Sequence, residues 1–97
     1  MMNLSLSDLR TIKTSLIREK LSLGEKIIIT DYEYKVAEIT PISPRDVKIP
    51  ARSIPLSQLR FNARTIFNLF PPGTEIAVFS RRSPVGILRI GDENSSS

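Results

Sequence analysis

The same residues occur twice in this chain, about fifty positions apart. Leu6, Ser7, Leu9 and Arg10 return as Leu56, Ser57, Leu59 and Arg60, an offset of 50. Further on, Gly24, Ile27 and Ile29 are matched by Gly73, Ile76 and Val78, and Val36-Ala37 by Val85-Gly86, all at an offset of 49. One residue is therefore deleted in the second copy, between the helix start and the glycine. The competing reading is two unrelated helix–hairpin segments with coincident leucines. A repeat of this length constrains the fold strongly. A unit of about 45 residues is marginal alone, because it cannot bury both a helix stripe and a sheet face. Two such units packed about a pseudo-two-fold axis can share one core.

Each copy reads as short strand, helix, strand, strand. In the first, Leu9, Ile12, Leu16, Ile17 and Leu21 follow helical spacing, so one helix is expected across them. Ser5 with Asp8 three residues on fits a capping box, with Ser7 as a competing cap. Gly24 would end that helix in the left-handed conformation. Lys26–Thr30 is a β-branched strand, Asp31–Tyr34 a turn, and Lys35–Thr40 the return strand. In the second copy Leu59, Ala63, Ile66, Phe67 and Phe70 form the apolar stripe, and Pro71-Pro72-Gly73 ends the helix. Glu75–Phe79 and Val85–Ile90 are its hairpin strands, joined through Arg81–Pro84. The organisation expected is a first unit over 1–42, a proline-rich connector over 43–53, a second unit over 54–91 and a disordered tail over 92–97. In the connector, Val47–Ile49 is a candidate edge strand. The whole is expected to form one compact α+β domain.

Composition removes most chemistries. The chain has no Cys and no His, which excludes a disulfide framework, a thiol nucleophile and a histidine base. Neither a Gly-rich phosphate loop nor an acidic cluster is present, so no cofactor and no metal are expected. Ser7 and Ser57 lack a base and read as caps or helix-face hydroxyls. No enzyme is expected. The apolar runs are too short to span a bilayer and the N-terminus does not read as a secretory signal, so the expectation is a cytoplasmic protein without a membrane partner.

The first copy, Leu4 to Ile42, resembles the N-terminal module of the Phd/YefM (prevent-host-death) antitoxins. The residues that carry the resemblance are Ser5, Leu9-Arg10, Gly24-Glu25, the apolar strand ending in Thr30, Val36-Ala37 and Pro41. The second copy matches more loosely, through Leu59-Arg60, Gly73 and Pro84-Val85-Gly86. The resemblance implies a homodimer-like architecture that binds operator DNA, and here a single-chain pseudo-two-fold dimer of tandem β-α-β-β units. It also implies a C-terminal toxin-binding segment. This chain has a second module and a short tail in that place, so toxin neutralisation of that kind is not expected. In the family the first hairpin turn carries arginine and glycine, whereas here it carries Asp31, Tyr32 and Glu33. Arg81 and Arg82 keep the basic character in the second copy.

Charge is distributed accordingly. The net charge is +4. Residues 1–42 hold six basic and six acidic side chains, whereas residues 43–91 hold eight basic and two acidic ones. The functional expectation is an antitoxin-like transcriptional regulator that binds double-stranded DNA, its contacts mainly from guanidinium to phosphate. The candidate DNA-binding residues are Arg10, Arg52, Arg60, Arg64, Arg81 and Arg82. Arg60 and Arg64 share a helical face, and Arg10 and Arg60 are repeat equivalents able to serve two half-sites. Five neutralised phosphates would give a slope of log K against log salt of roughly −4 to −5. The alternative is a protein-interaction module with the same fold, docking a partner or toxin through sheet edges or through Tyr32 and Tyr34. The reading favoured for the tyrosines themselves is that one packs across the hairpin while the other covers a strand edge. Phe67, Phe70 and Phe79 are expected in the core, and Phe61 falls off the helical stripe. A monomeric pseudo-dimer and a homodimer are both compatible with the sequence.

Overall fold

Ser5 opens the first helix. Its Oγ accepts from the Asp8 amide at 3.0 Å, and the Asp8 carboxylate accepts from the Ser5 amide at 3.2 Å. The box is therefore closed, and Ser7 is not the cap. In the computed structural model, which describes residues 1–42 and 50–91, this helix is short. It spans Leu6–Thr11 (α1), following the edge strand Met2–Ser5 (β1), and a second helix runs over Thr14–Ser22 (α2).

The single helix expected here is thus broken at Ile12 and Lys13, both extended (ψ 148° and 136°). No proline or glycine marks the break. Thr11 Oγ1 instead bonds back to the Ser7 and Asp8 carbonyls, a local competition known to disturb helices. The break resets the helical phase. Ile17 and Leu21 stay buried, whereas Leu16, expected in the stripe, is exposed. α2 closes with Gly24 at φ 83°, the Gly24 amide on the Leu21 carbonyl and the Glu25 amide on the Lys20 carbonyl, both at 3.0 Å. This is the glycine-terminated Schellman arrangement.

The hairpin Ile27–Asp31 (β2) and Tyr34–Pro41 (β3) follows. After residue 50 the chain repeats the plan with Ser53–Pro55 (β4), Leu56–Leu69 (α3), Glu75–Ser80 (β5) and Ser83–Ile90 (β6). α3 also departs from helical geometry, at Asn62, the residue fifty after Ile12. The edge strand considered at Val47–Ile49, and the tail 92–97, lie outside the described residues.

Among the described residues, six strands form one sheet in the order β1-β2-β3-β6-β5-β4. Both outer pairs are parallel, with Leu4 opposite Ile29 and Ile54 opposite Val78. Both hairpins carry a register shift at matching places, after Ile29 and after Val78. The central pair β3–β6 is antiparallel, with Ile39 opposite Leu88.

The buried row Ile27, Ile39, Leu88 and Ile76 runs across four strands and faces the helices. Leu9, Ile17 and Leu59, all fully buried, join it in one core drawn from both halves of the chain. Leu21 of α2 lies over β6, where a Cβ on Gly86 would stand 3.3 Å from it. Phe67 and Phe70 are partly buried against this core.

The neighbouring row holds Ile28, Glu38, Arg89 and Glu75. Glu38 is buried and pairs with Lys35 at 2.8 Å and Lys26 at 2.9 Å. The Lys35 hydrogen bond first, and the Lys26 bond after it, hold its carboxyl below the ordinary value despite burial. Among the described residues, no helix is long and apolar enough to cross a membrane.

Candidate functional site

α1 and α3 start where the parallel strands β1 and β4 end, so their first turns lie at the same end of the sheet as the hairpin turns. At each turn two residues adopt positive φ: Tyr32 and Glu33 (50° and 71°), and Arg81 and Arg82 (53° and 68°). Two-residue loops of this hand match the twist of the strands they join. Arg81 and Arg82 are exposed. Tyr32 and Tyr34 are 83% and 73% exposed, so neither packs across its hairpin.

Three of the six sequence-predicted arginines meet. Arg10, Arg60 and Arg64 line one cleft of about 200 Å³, together with Ser7 and Phe61. Phe61 is 61% exposed and lies under the Arg60 guanidinium at 5.5 Å. The three arginines are not equally available. Arg60 is half-buried and donates from Nε to the Leu9 carbonyl at 3.2 Å and from Nη2 to the Arg10 carbonyl at 3.1 Å. These carbonyls belong to the last turn of α1, where a helix leaves its acceptors without partners. Arg60 therefore caps the broken helix of the other half.

Arg64 forks onto Asp31, Nη1 to Oδ2 at 3.2 Å and Nη2 to Oδ1 at 3.4 Å. The Arg10 side chain is exposed, and its guanidinium makes no hydrogen bond or ion pair among the described residues.

The remaining candidates lie apart from that cleft. Arg52 stacks over the Phe70 ring at 4.8 Å, beside an apolar hollow lined by Ile54, Ile66 and Leu69. Arg81 lines a different cavity, shared with Arg18, Ser57 and Phe79. Phe79, expected in the core, forms part of that wall and is only half-buried.

Arg18 was not singled out by the sequence. Nothing in the sequence pattern sets it apart, because what distinguishes it is a buried Nε without a partner. Among the described residues, no group of three or more acidic side chains is placed to hold a metal ion.

Compared with protein-family models, curated proteins and solved structures, the chain matches none. The arginine arrangement alone therefore carries the functional argument.

Proposed function

We propose that this chain is a Phd/YefM-like tandem module, a single-chain pseudo-two-fold dimer of units 1–42 and 54–91, that binds double-stranded DNA as an antitoxin-like transcriptional regulator. The observation that carries the reading is that both halves present exposed guanidinium groups with no ion pair among the described residues, Arg10 from the first and Arg81 and Arg82 from the second, with Arg64 beside Arg10 held by Asp31. Guanidinium groups contributed by both halves of a repeated unit suit a duplex, whose backbones are themselves related by two-fold axes. The pseudo-dimer is supported by the central strand pair. Ile39 lies opposite Leu88, the residue forty-nine positions on, so the equivalent residue of one unit pairs with that of the other.

The salt dependence expected is shallower than residue counting alone suggests. Arg60 is committed to carbonyls, Arg64 to Asp31 and Arg52 to an aromatic face. Arg10, Arg81 and Arg82 remain free among the described residues, and three neutralised phosphates give a slope near −2.7, that is about −0.9 for each. A gel-shift series with DNA from upstream of its own gene measures that slope. Absence of binding at ~50 mM salt, where phosphate contacts are strong, would refute the reading. Light scattering tests the architecture, since a stable monomer of 10.9 kDa is expected and an obligate dimer contradicts it.

The exposure of both Tyr32 and Tyr34 favours a second reading, a protein-binding module that docks a partner or toxin through this turn. Its signature is a specific protein retained in pull-downs after nuclease treatment and lost when both tyrosines become serine.

A further inference from the structure

We propose that the cavity between α2, the β5–β6 turn and the beginning of α3 is a binding site for a phosphate group. Its walls carry Arg18, Arg81, Thr14, Ser57 and Ser80, and no carboxylate. Two guanidinium groups and three hydroxyls therefore border a space of about 210 Å³. Arg18 arrives from the first half of the chain and Arg81 from the second.

Arg18 is the informative member. Its Nε is buried and has no hydrogen-bond partner. A buried donor left unpaired costs about 1–3 kcal/mol, more when charged, and a small shift of the Arg18 side chain toward a phosphate in the cavity it lines would offset that cost. Arg81 likewise has no ion pair among the described residues. A guanidinium offers its N–H groups in a planar fork that fits phosphate oxygens, and two of them can share the oxygens of one phosphate group.

The chain contains its own comparison. An equivalent cavity in the first half is bordered by Ser5, Ser7, Thr30, Asp31, Tyr32 and Arg64. Ser7, Asp31 and Tyr32 correspond to Ser57, Ser80 and Arg81. In the first-half cavity the guanidinium is already answered, because the Asp31 carboxylate holds Arg64 through two hydrogen bonds. In the second-half cavity Ser80 stands in place of that acid. The oxyanion that the first half supplies from its own chain is supplied by the ligand in the second. Pro55, unlike Ser5, also gives no side-chain acceptor to the helix it precedes, which adds to the positive character without being the basis of the site.

The ligand chemistry is a phosphate group, either a backbone phosphodiester of nucleic acid or a free phosphate ester. The site stands without the duplex reading and shares with it only Arg81. The test is an NMR titration of the whole chain with inorganic phosphate, following amide and arginine Nε–H resonances, against sodium chloride at matched ionic strength. Phosphate is expected to give saturable shifts at Arg18 Nε–H and the Ser57 amide, and chloride none.

Ser80→Asp restores the acid that the first half carries at the same position, so it is compatible with the turn. It should weaken phosphate binding about tenfold or more by pairing with the guanidinium groups. Arg81→Asn, which tolerates positive φ, should weaken it too. Equal shifts with chloride, or undiminished binding by Ser80→Asp, would overturn the proposal. A second arm replaces phosphate with a short DNA duplex. Shifts at Arg18 and Ser57 from both ligands assign the source as nucleic-acid backbone; shifts from phosphate alone assign a free phosphate ester. Duplex binding seen at Arg10 and Arg82, with no phosphate response at Arg18, overturns this site and leaves the duplex reading standing.

Discussion

Removing one acidic side chain should make this protein a better ligand for DNA. Asp31→Asn keeps the size of the side chain and the strand position opposite Tyr34, but it releases Arg64 from its carboxylate. Arg64 then faces the cleft it shares with Arg10 and Arg60 as a free guanidinium. The number of phosphates engaged rises from three to four, and the slope of log K against log salt steepens from about −2.7 to about −3.6. Between 50 and 200 mM salt, the wild type should lose affinity about 40-fold and the variant about 150-fold. The gain therefore shows best at low salt.

Stability should hardly change. The pair is largely exposed on the Arg64 side, and such surface pairs contribute about 0.2–1 kcal/mol. In a domain of this size that is a few degrees of melting temperature at most. Fluorescence anisotropy with a labelled duplex over a salt series gives both slopes, and thermal melts give the control. A variant slope equal to the wild-type slope would place Arg64 outside the interface and refute the reasoning.

Gly86→Ala should destabilise by about 1–3 kcal/mol, since the added Cβ would stand 2.7 Å from Ile39 Cγ2 and 3.0 Å from the Thr40 carbonyl oxygen. Urea unfolding reads this as a lower midpoint, whereas a raised midpoint, the usual result of glycine replacement in a strand, contradicts the packing described. Glu38→Gln should lose about 1–2 kcal/mol near neutral pH, the scale of a charge-assisted hydrogen bond. The folded-state carboxyl is held below 4.5, so its contribution is present above that value and fades as pH falls through the lower folded value. Wild-type and variant stabilities should therefore converge as the pH falls through that lowered folded-state value, which denaturant titrations at several pH values would check.

Much of this architecture can be read directly from the residues. The β-branched strands, the box at Ser5 and the glycine stop at Gly24 are local signals, and each was satisfied locally. The helix break at Ile12 was not legible, because no proline or glycine marks it and the guanidinium that caps the broken end comes from the other half of the chain. The same contact explains why the candidate site was only half legible. Sequence spacing shows Arg60 and Arg64 on one helical face, but it cannot show that a carbonyl pair and Asp31 already occupy them. Nor could it find Arg18, whose importance lies in a missing partner. Side-chain type was informative, whereas availability depends on what the rest of the chain brings alongside.

The turns hold a different kind of information. Four residues with bulky side chains, Tyr32, Glu33, Arg81 and Arg82, sit at positive φ, where L-residues other than glycine pay about 1–2 kcal/mol each. Asn-Gly would form the same turns with little strain. Each tip is thus a place where the backbone geometry would accept almost any relaxed pair, yet carries a strained one. For protein engineering this makes the two turns exchangeable cassettes in a common frame. Grafting a relaxed turn at one tip would add stability and erase whatever that tip does, so stability and function can be titrated against each other one tip at a time.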